Sequence, residues 1–321
     1  MPVSDMYAQI EDFEQQYIPF PTFVSATNAI ERNLKLFRET GIAKHLLIIG
    51  ESGTGKTSLR KWLKHKYPVV LLFDRNKTAV LITKIPPAAT VTGIIDAMLT
   101  ALGDPWHQKG TITNKTARVV KLCKECGVEF MLFDEAQHLY DRGDTRTHYM
   151  VGDWFKHLID EVSVPSCLIG LPRAEQILLV NDQLRRRFSR RLSLSLGQSD
   201  TDSIETECLQ LYVSLITLLS IPVSAHPFSA QEMGSRLFYA SDGRVGYIKK
   251  LMSAALEIAL ENDMEVIDVK LLETAYTIEI WDKGIGKLNP FNPNFLFRRL
   301  DRQDEPFQMA QPASTSRRRS A

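Results

Sequence analysis

The sequence has little cysteine, no long apolar run and almost no net charge. Four cysteines among 321 residues do not make a disulfide framework. No uninterrupted apolar stretch approaches the ~20 residues a membrane-crossing helix needs, so no membrane partner is expected. Residues 1–14 carry Asp5, Glu11 and Asp12 without an apolar centre, so a signal peptide is not expected and a cytoplasmic location is. The formal net charge is +1, so any nucleic-acid surface has to be a local patch and not a global field. There are no internal repeats.

What the chain does have begins at Gly50-Glu51-Ser52-Gly53-Thr54-Gly55-Lys56-Thr57. This fits the phosphate-binding pattern of glycine, four free positions, Gly-Lys and then Ser or Thr. The apolar run Leu46-Leu47-Ile48-Ile49 precedes it as a buried parallel strand, and a helix follows from Ser58. A strand feeding a glycine-rich turn that opens a helix aims several N–H groups at one point, a site for a triphosphate. Residues Gly50 to Ser58 are therefore the expected ATP cradle. Lys56 would reach the β- and γ-phosphates, and the Thr57 hydroxyl would ligate Mg²⁺.

Further along, Tyr17 to Phe23 reads as extended and Ala26 to Thr40 as a helix ended by Gly41. Val69–Phe73 and Ala79–Ile82 read as strands, and Thr92–Leu102 and Lys115–Cys126 as helices. Glu129–Phe133, Ser166–Leu171 and Leu192–Leu196 read as further strands, with a helix over Met150–Val162. Alternating strands and helices predict an α/β fold with a mostly parallel sheet covered on both faces. From Asp202 strand signals stop, and four segments between Ile204 and Asp282 carry helical periodicity. The expected organisation is an N-terminal extension over 1–24, a nucleotide-binding domain over 25–200, a small all-helical domain over 201–282 and a tail over 283–321. The last part of that tail, ending in Arg317-Arg318-Arg319, is expected to be disordered. Cys123 and Cys126 have Cys-x-x-Cys spacing, but no second ligand pair accompanies them, so packing competes with a metal or redox role.

Phe130-Met131-Leu132-Phe133-Asp134-Glu135 completes what the phosphate loop begins. Its apolar residues bury a central strand and deliver two carboxylates to the end of the sheet where ligands bind. Asp134 is the expected partner of Thr57 in holding Mg²⁺, and Glu135 the residue that orients the attacking water. A cation opposite the γ-phosphate is still required. Five arginines between Arg185 and Arg191 are candidates, with Arg186 and Arg187 preferred. They serve either as a finger reaching a neighbouring subunit's nucleotide or as a solvated, salt-bridged face.

Together these features resemble the AAA+ ATPases over roughly residues 25 to 280. Phe133-Asp134-Glu135-Ala136-Gln137-His138-Leu139 is similar to the acidic motif of the TniB/TnsC transposition regulators within that family. Further support comes from Ile169-Gly170-Leu171-Pro172, from Gln183 to Phe188 and from Ser241-Asp242-Gly243-Arg244-Val245-Gly246. The resemblance implies an ATP-dependent homo-oligomer, ring or helical filament, assembled on double-stranded DNA. It also implies recruitment of a DDE-type transposase, a TniQ-type target-selection partner, and disassembly driven by hydrolysis. Two departures stand out. The strand ending Gly170-Leu171-Pro172 lacks the usual polar sensor, and Gly246 replaces an arginine common in the helical lid, so slow hydrolysis is expected.

DNA contacts need Lys, Arg, Ser, Thr or backbone N–H groups facing phosphates. Lys109, Thr111, Thr113 and Lys115 in one loop, and Lys77 and Thr78 in another, combine these types, though either segment also reads as solvated loop. Arg298-Arg299 reads as a DNA or partner contact or as a flexible end. Two alternatives remain: a helicase loader or replication initiator, and a nucleotide-gated scaffold with negligible hydrolysis. The first would want a dedicated DNA-binding domain that the residues after Trp281 are too few to supply. The second would have no need of Glu135.

Overall fold

The computed structural model describes residues 3–308, apart from 17, 74, 75, 88, 142–144 and 198–201. The terminal arginines 317–319 thus lie outside the described residues. The chain divides into two compact units, Pro19–Ser199 and Met1–Ile18 with Asp200–Ala321.

The chain starts with α1 (Val3–Gln15), and the first unit begins with α2 (Pro21–Thr40). Proline at the first helical position starts α2 five residues before the expected Ala26, so the predicted extended segment is already helical from Pro21. Gly41 ends it with φ 72°, its N–H on Phe37 O at 2.8 Å. β1 (Leu46–Ile49) then leads to α3 (Lys56–Lys66). After β2 (Val70–Leu71), β3 (Asn76–Lys77) and β4 (Val80–Lys84) come α4 (Val91–Ala101), α5 (Ile112–Glu125) and β5 (Phe130–Asp134). α6 (Thr145–Val162), β6 (Ser166–Gly170), α7 (Gln176–Val180), α8 (Asp182–Arg187) and β7 (Arg190–Ser193) complete the unit.

The sheet runs β4-β5-β6-β1-β7 with every pairing parallel. β5 and β6 are buried throughout, which is why their sequences are apolar without alternation. Phe155 of α6 packs edge-on against Phe133 at 4.7 Å between ring centres, within a core that includes Leu47, Met131 and Leu168.

The run Val69–Phe73 does not join this sheet. Only Val70 and Leu71 form a strand, antiparallel to Asn76–Lys77, and all five residues are exposed. β4 already occupies the sheet edge beside β5, so hydrophobicity alone misplaced this segment.

The second unit is helical: α9 (Ile204–Ile216), α10 (Ala230–Ser241), α11 (Val245–Glu261) and α12 (Val269–Ala275). Ser203, Ser229 and Asp268 cap three of them by accepting a backbone N–H three residues on. α1 belongs to this unit. Phe13 is buried, and Lys249 Nζ donates to Glu14 O at 2.5 Å and Gln16 O at 3.2 Å.

Residues 283–308 also pack here instead of trailing. Phe291, Phe295, Leu300 and Phe307 are buried, and the buried Arg236 donates to Pro290 O at 2.5 Å and Asn292 O at 2.8 Å. Arg298 pairs with Glu305, and Arg299 pairs with Asp242 at 2.6 Å. These two arginines are therefore structural contacts and not a flexible end. Among the described residues no helix is long and apolar enough to cross a membrane.

Candidate nucleotide site

The loop Gly50 to Thr57 links the C-terminal end of β1 to the start of α3. Gly55 sits just before the helix at φ 94°, a conformation that side chains rarely adopt, and no side chain caps the helix. The first N–H groups of α3 thus face outward from a positive helix end, the donor set a phosphate requires. A side chain at Gly55 would meet Phe20 Cζ at 3.3 Å, so the entry segment abuts this loop. Lys56 folds back on the loop, donating to Gly50 O and Glu51 O at 2.6 Å each. Burial lowers its pKa against the opposing pull of Glu135, Glu51 and Asp134.

β5 delivers Asp134 to the same end of the sheet, where it is 6% exposed. Its Oδ1 accepts the Glu135 N–H at 2.9 Å and its Oδ2 accepts from Arg60 Nη1 at 2.6 Å. An anionic, oxygen-donating carboxylate with a cation already drawn to it fits Mg²⁺ chemistry, as does the Thr57 hydroxyl in the first turn of α3. Glu135 adopts φ 60°, and its Oε2 accepts from Gln137 Nε2 at 2.5 Å. Arg60 and Gln137 did not figure among the expected site residues. Their signals are spacing: Arg60 lies one turn beyond Thr57, and Gln137 two residues beyond Glu135.

The arginine segment resolves into paired and unpaired members. Arg187 makes three hydrogen bonds to Asp160 at 2.7–3.0 Å, Arg185 pairs with Asp182 at 2.8 Å, and Arg191 lies 3.6 Å from Glu175. Arg186 is exposed and has no carboxylate partner among the described residues. It lines a 470 Å³ cavity together with Arg32, Lys44, His45, Arg187 and Arg190. Neither Arg32 nor Arg190 has a carboxylate partner there either, and Arg190 Nη1 is buried without a hydrogen bond. His45 contributes no charge. Its Nδ1 accepts the Ser166 N–H at 3.1 Å, and burial first, then Arg187, pushes its pKa down to about 4.

The expected DNA contacts separate in the same way. Lys115 is buried and donates to Asp96 at 2.7 Å, and Thr78 is buried, so both are withdrawn from any phosphate outside. α5 begins at Ile112, so Lys115 lies in its first turn and not in a loop, with Thr111 capping the helix through the Asn114 N–H. Lys77, Lys109, Thr111 and Thr113 are exposed, and Lys109 sits over the Trp106 ring at 4.0 Å.

All four cysteines are buried and outside any disulfide, and burial pushes Cys123 up to about 12. Among the described residues no cluster of His, Cys, Asp or Glu is arranged to hold a metal by itself. Packing is what the structure supports for the Cys-x-x-Cys pair.

Solved structures share this architecture at low identity. The ORC2 protein of Aeropyrum pernix, in ADPNP–ADP complexes, is 16% identical with a TM-score of 0.59, over 83% of this chain and 71% of that one. Cdc6p from Pyrobaculum aerophilum is 13% identical with a TM-score of 0.58, over 83% and 69%. The Aeropyrum pernix ORC1 protein, solved in complex with DNA, is 15% identical with a TM-score of 0.57, over 83% and 68%. What is common at these identities is the fold. No curated protein sequence matches this chain. The family model of the bacterial TniB protein matches residues 10–194, more than half of the chain. The parallel sheet, the phosphate loop and the helical part make this an AAA+ P-loop fold, and the chain belongs to the TniB family.

Proposed function

We propose that this chain is an ATP-hydrolysing regulator of DNA transposition. It assembles on target duplex DNA as a ring or filament, engages a DDE-type transposase and a TniQ-type partner, and disassembles on hydrolysis. The observation that carries the reading is the convergence of the Gly50–Ser58 loop with Asp134 and Glu135 at one end of a parallel sheet. Membership of the TniB family supports the transposition part, and the similar ORC1 fold solved with DNA supports a DNA partner.

The backbone N–H groups from Gly53 to Ser58 would bind the phosphates, with Lys56 released from Gly50 O and Glu51 O to meet them. Thr57 and Asp134 would hold Mg²⁺, which when bound supplies positive charge against the phosphate oxygens. Glu135 would accept a hydrogen bond from the attacking water and orient it. Arg186, without a carboxylate partner among the described residues, is the more exposed of the two such arginines in the segment, beside Arg190, and would meet charge on a neighbouring subunit. Residues 201–282 would serve as the lid. Arg244, held by Asp242 at 3.4 Å and lying near Tyr247 and Phe307, does not substitute for the arginine absent at Gly246. Hydrolysis would accordingly be slow and dependent on assembly.

Electron microscopy and ATP turnover measured with and without duplex DNA test the reading. DNA-bound polymers with a non-hydrolysable ATP analogue, absent for Lys56→Ala and persistent for Glu135→Gln with ATP, are expected. Monomers under all these conditions would sink it.

A further inference from the structure

A series of hydrogen bonds, linked through the Gly50 backbone and the Gly170–Leu171 peptide, joins the phosphate loop to Glu135. Lys56 Nζ donates to Gly50 O at 2.6 Å, and the Gly50 N–H donates to Gly170 O at 3.0 Å. The next N–H along the chain from Gly170, that of Leu171, donates to Gln137 Oε1 at 3.1 Å. Gln137 Nε2 then donates to Glu135 Oε2 at 2.5 Å. Gln137 is 2% exposed, so water does not compete for its amide, and each end of that amide has a protein partner.

The surroundings are shaped for this amide. A Cβ on Gly170 would lie 2.6 Å from Gln137 Oε1 and 3.0 Å from the Ala136 nitrogen, so only glycine leaves room at the end of β6. Glu135 holds a left-handed backbone that a non-glycine residue adopts at a cost, and its N–H bond to Asp134 Oδ1 and the bond it accepts from Gln137 hold the turn in place. β6 itself ends in apolar and glycine residues, and the polar group that sits at its end comes from Gln137 instead.

We propose that Gln137 is a positioning residue for Glu135. It holds one carboxylate oxygen against the end of β6 and makes the orientation of Glu135 depend on the state of the phosphate loop. The inference rests on the reading of Glu135 as the residue that orients water. An ionised carboxylate offers about four acceptor sites. Gln137 occupies one on Oε2, and Oε1 remains for a water. Drawing Lys56 away from Gly50 O alters the first bond in the series, and Gln137 is the side chain through which that change reaches Glu135.

The test compares steady-state turnover, ATP KM and thermal melting for wild type, Gln137→Met, Gln137→Glu, Glu135→Gln and the double variant Gln137→Met/Glu135→Gln. Methionine keeps the volume and loses both bonds. Glutamate keeps an acceptor for the Leu171 N–H and loses the donor to Glu135 only once ionised, since two adjacent carboxyl groups share a proton, so this variant is assayed across pH. Both are expected to lower kcat about 10–100-fold with KM changed less than about twofold. In the Glu135→Gln background, Gln137→Met is expected to lower turnover no further. Should Gln137→Met fold poorly, Gln137→Glu at an unchanged melting temperature carries the comparison. Wild-type turnover in Gln137→Glu at every pH assayed, or an equal loss from Gln137→Met in both backgrounds, would overturn the proposal. If Glu135→Gln itself turns over like wild type, it is the assignment of Glu135 that fails.

Discussion

Arg60, one turn into α3, donates to Oδ2 of Asp134 at 2.6 Å and closes the acidic end of β5. Asp134 is nearly buried, so a cation beside it is an electrostatic requirement and not an ornament. Arg60 therefore holds the place that a metal ion would contest.

Replacing Arg60 with Met should leave Asp134 without its cation. The expected loss of stability is about 2 kcal/mol, below the ~3–5 of a fully buried pair because Arg60 remains a quarter exposed. Thermal melting with added Mg²⁺–ATP should recover more of that loss in the variant than the same additions give wild type. Equal gains would show that Arg60 and the metal do not compete.

Arg186 and Arg187, adjacent in sequence, should behave differently. Arg187→Ala breaks the contact with Asp160 and should lower stability by about 1 kcal/mol, since both partners are partly exposed. Arg186→Ala should leave the melting temperature unchanged and reduce turnover only at concentrations that permit assembly. Turnover of Arg186→Ala equal to wild type across concentration would remove it as the trans-acting residue.

Lys109 and Lys115, six residues apart, should also behave differently. Lys115→Met breaks the buried pair with Asp96 and should cost about 1–3 kcal/mol without altering the salt slope of DNA binding. Lys109→Ala, exposed over Trp106, should keep full stability and lower that slope by about 1. Filter binding across salt concentrations separates them, and a slope change confined to Lys115→Met would reverse the assignment.

His45 predicts a stability change in mild acid. Its pKa is near 4 in the folded protein against about 6.5 unfolded, so between these values only the unfolded chain binds the proton. The contribution is complete above about pH 6.5 and is lost as pH falls towards 4, to a limit of about 3 kcal/mol. His45→Gln, which preserves an acceptor for the Ser166 N–H, should flatten urea midpoints over that window. An unaltered pH slope would assign the loss to other groups.

Much of the site was legible because its residues obey local rules. The Gly50–Thr57 loop and the Asp134-Glu135 pair stand on strands apolar on both faces, and an uninterrupted apolar run reports that directly. The helices α9 to α11 were legible through their periodicity. Val69–Phe73 has the same apolarity and lies outside the sheet, because the run carries no information about which edge is vacant. Lys115 looked like a phosphate contact because residue type does not reveal a partner 19 positions away. Arg60 and Gln137 are not legible in the sequence for a related reason: their contacts depend on groups that turn geometry, not sequence distance, places beside them.

The docking of α1 on α11 has a consequence for the order of assembly. Lys249 and Glu14 are 235 positions apart, whereas the α/β unit is one contiguous stretch between them. During synthesis Pro19–Ser199 can close its sheet while the first eighteen residues still wait for a surface that has not been made. Domains emerging first generally fold first, so the nucleotide-binding half should mature while the helical half is still unfinished. The helical half closes only once α11 is available to α1, which makes it the later-formed part of the molecule.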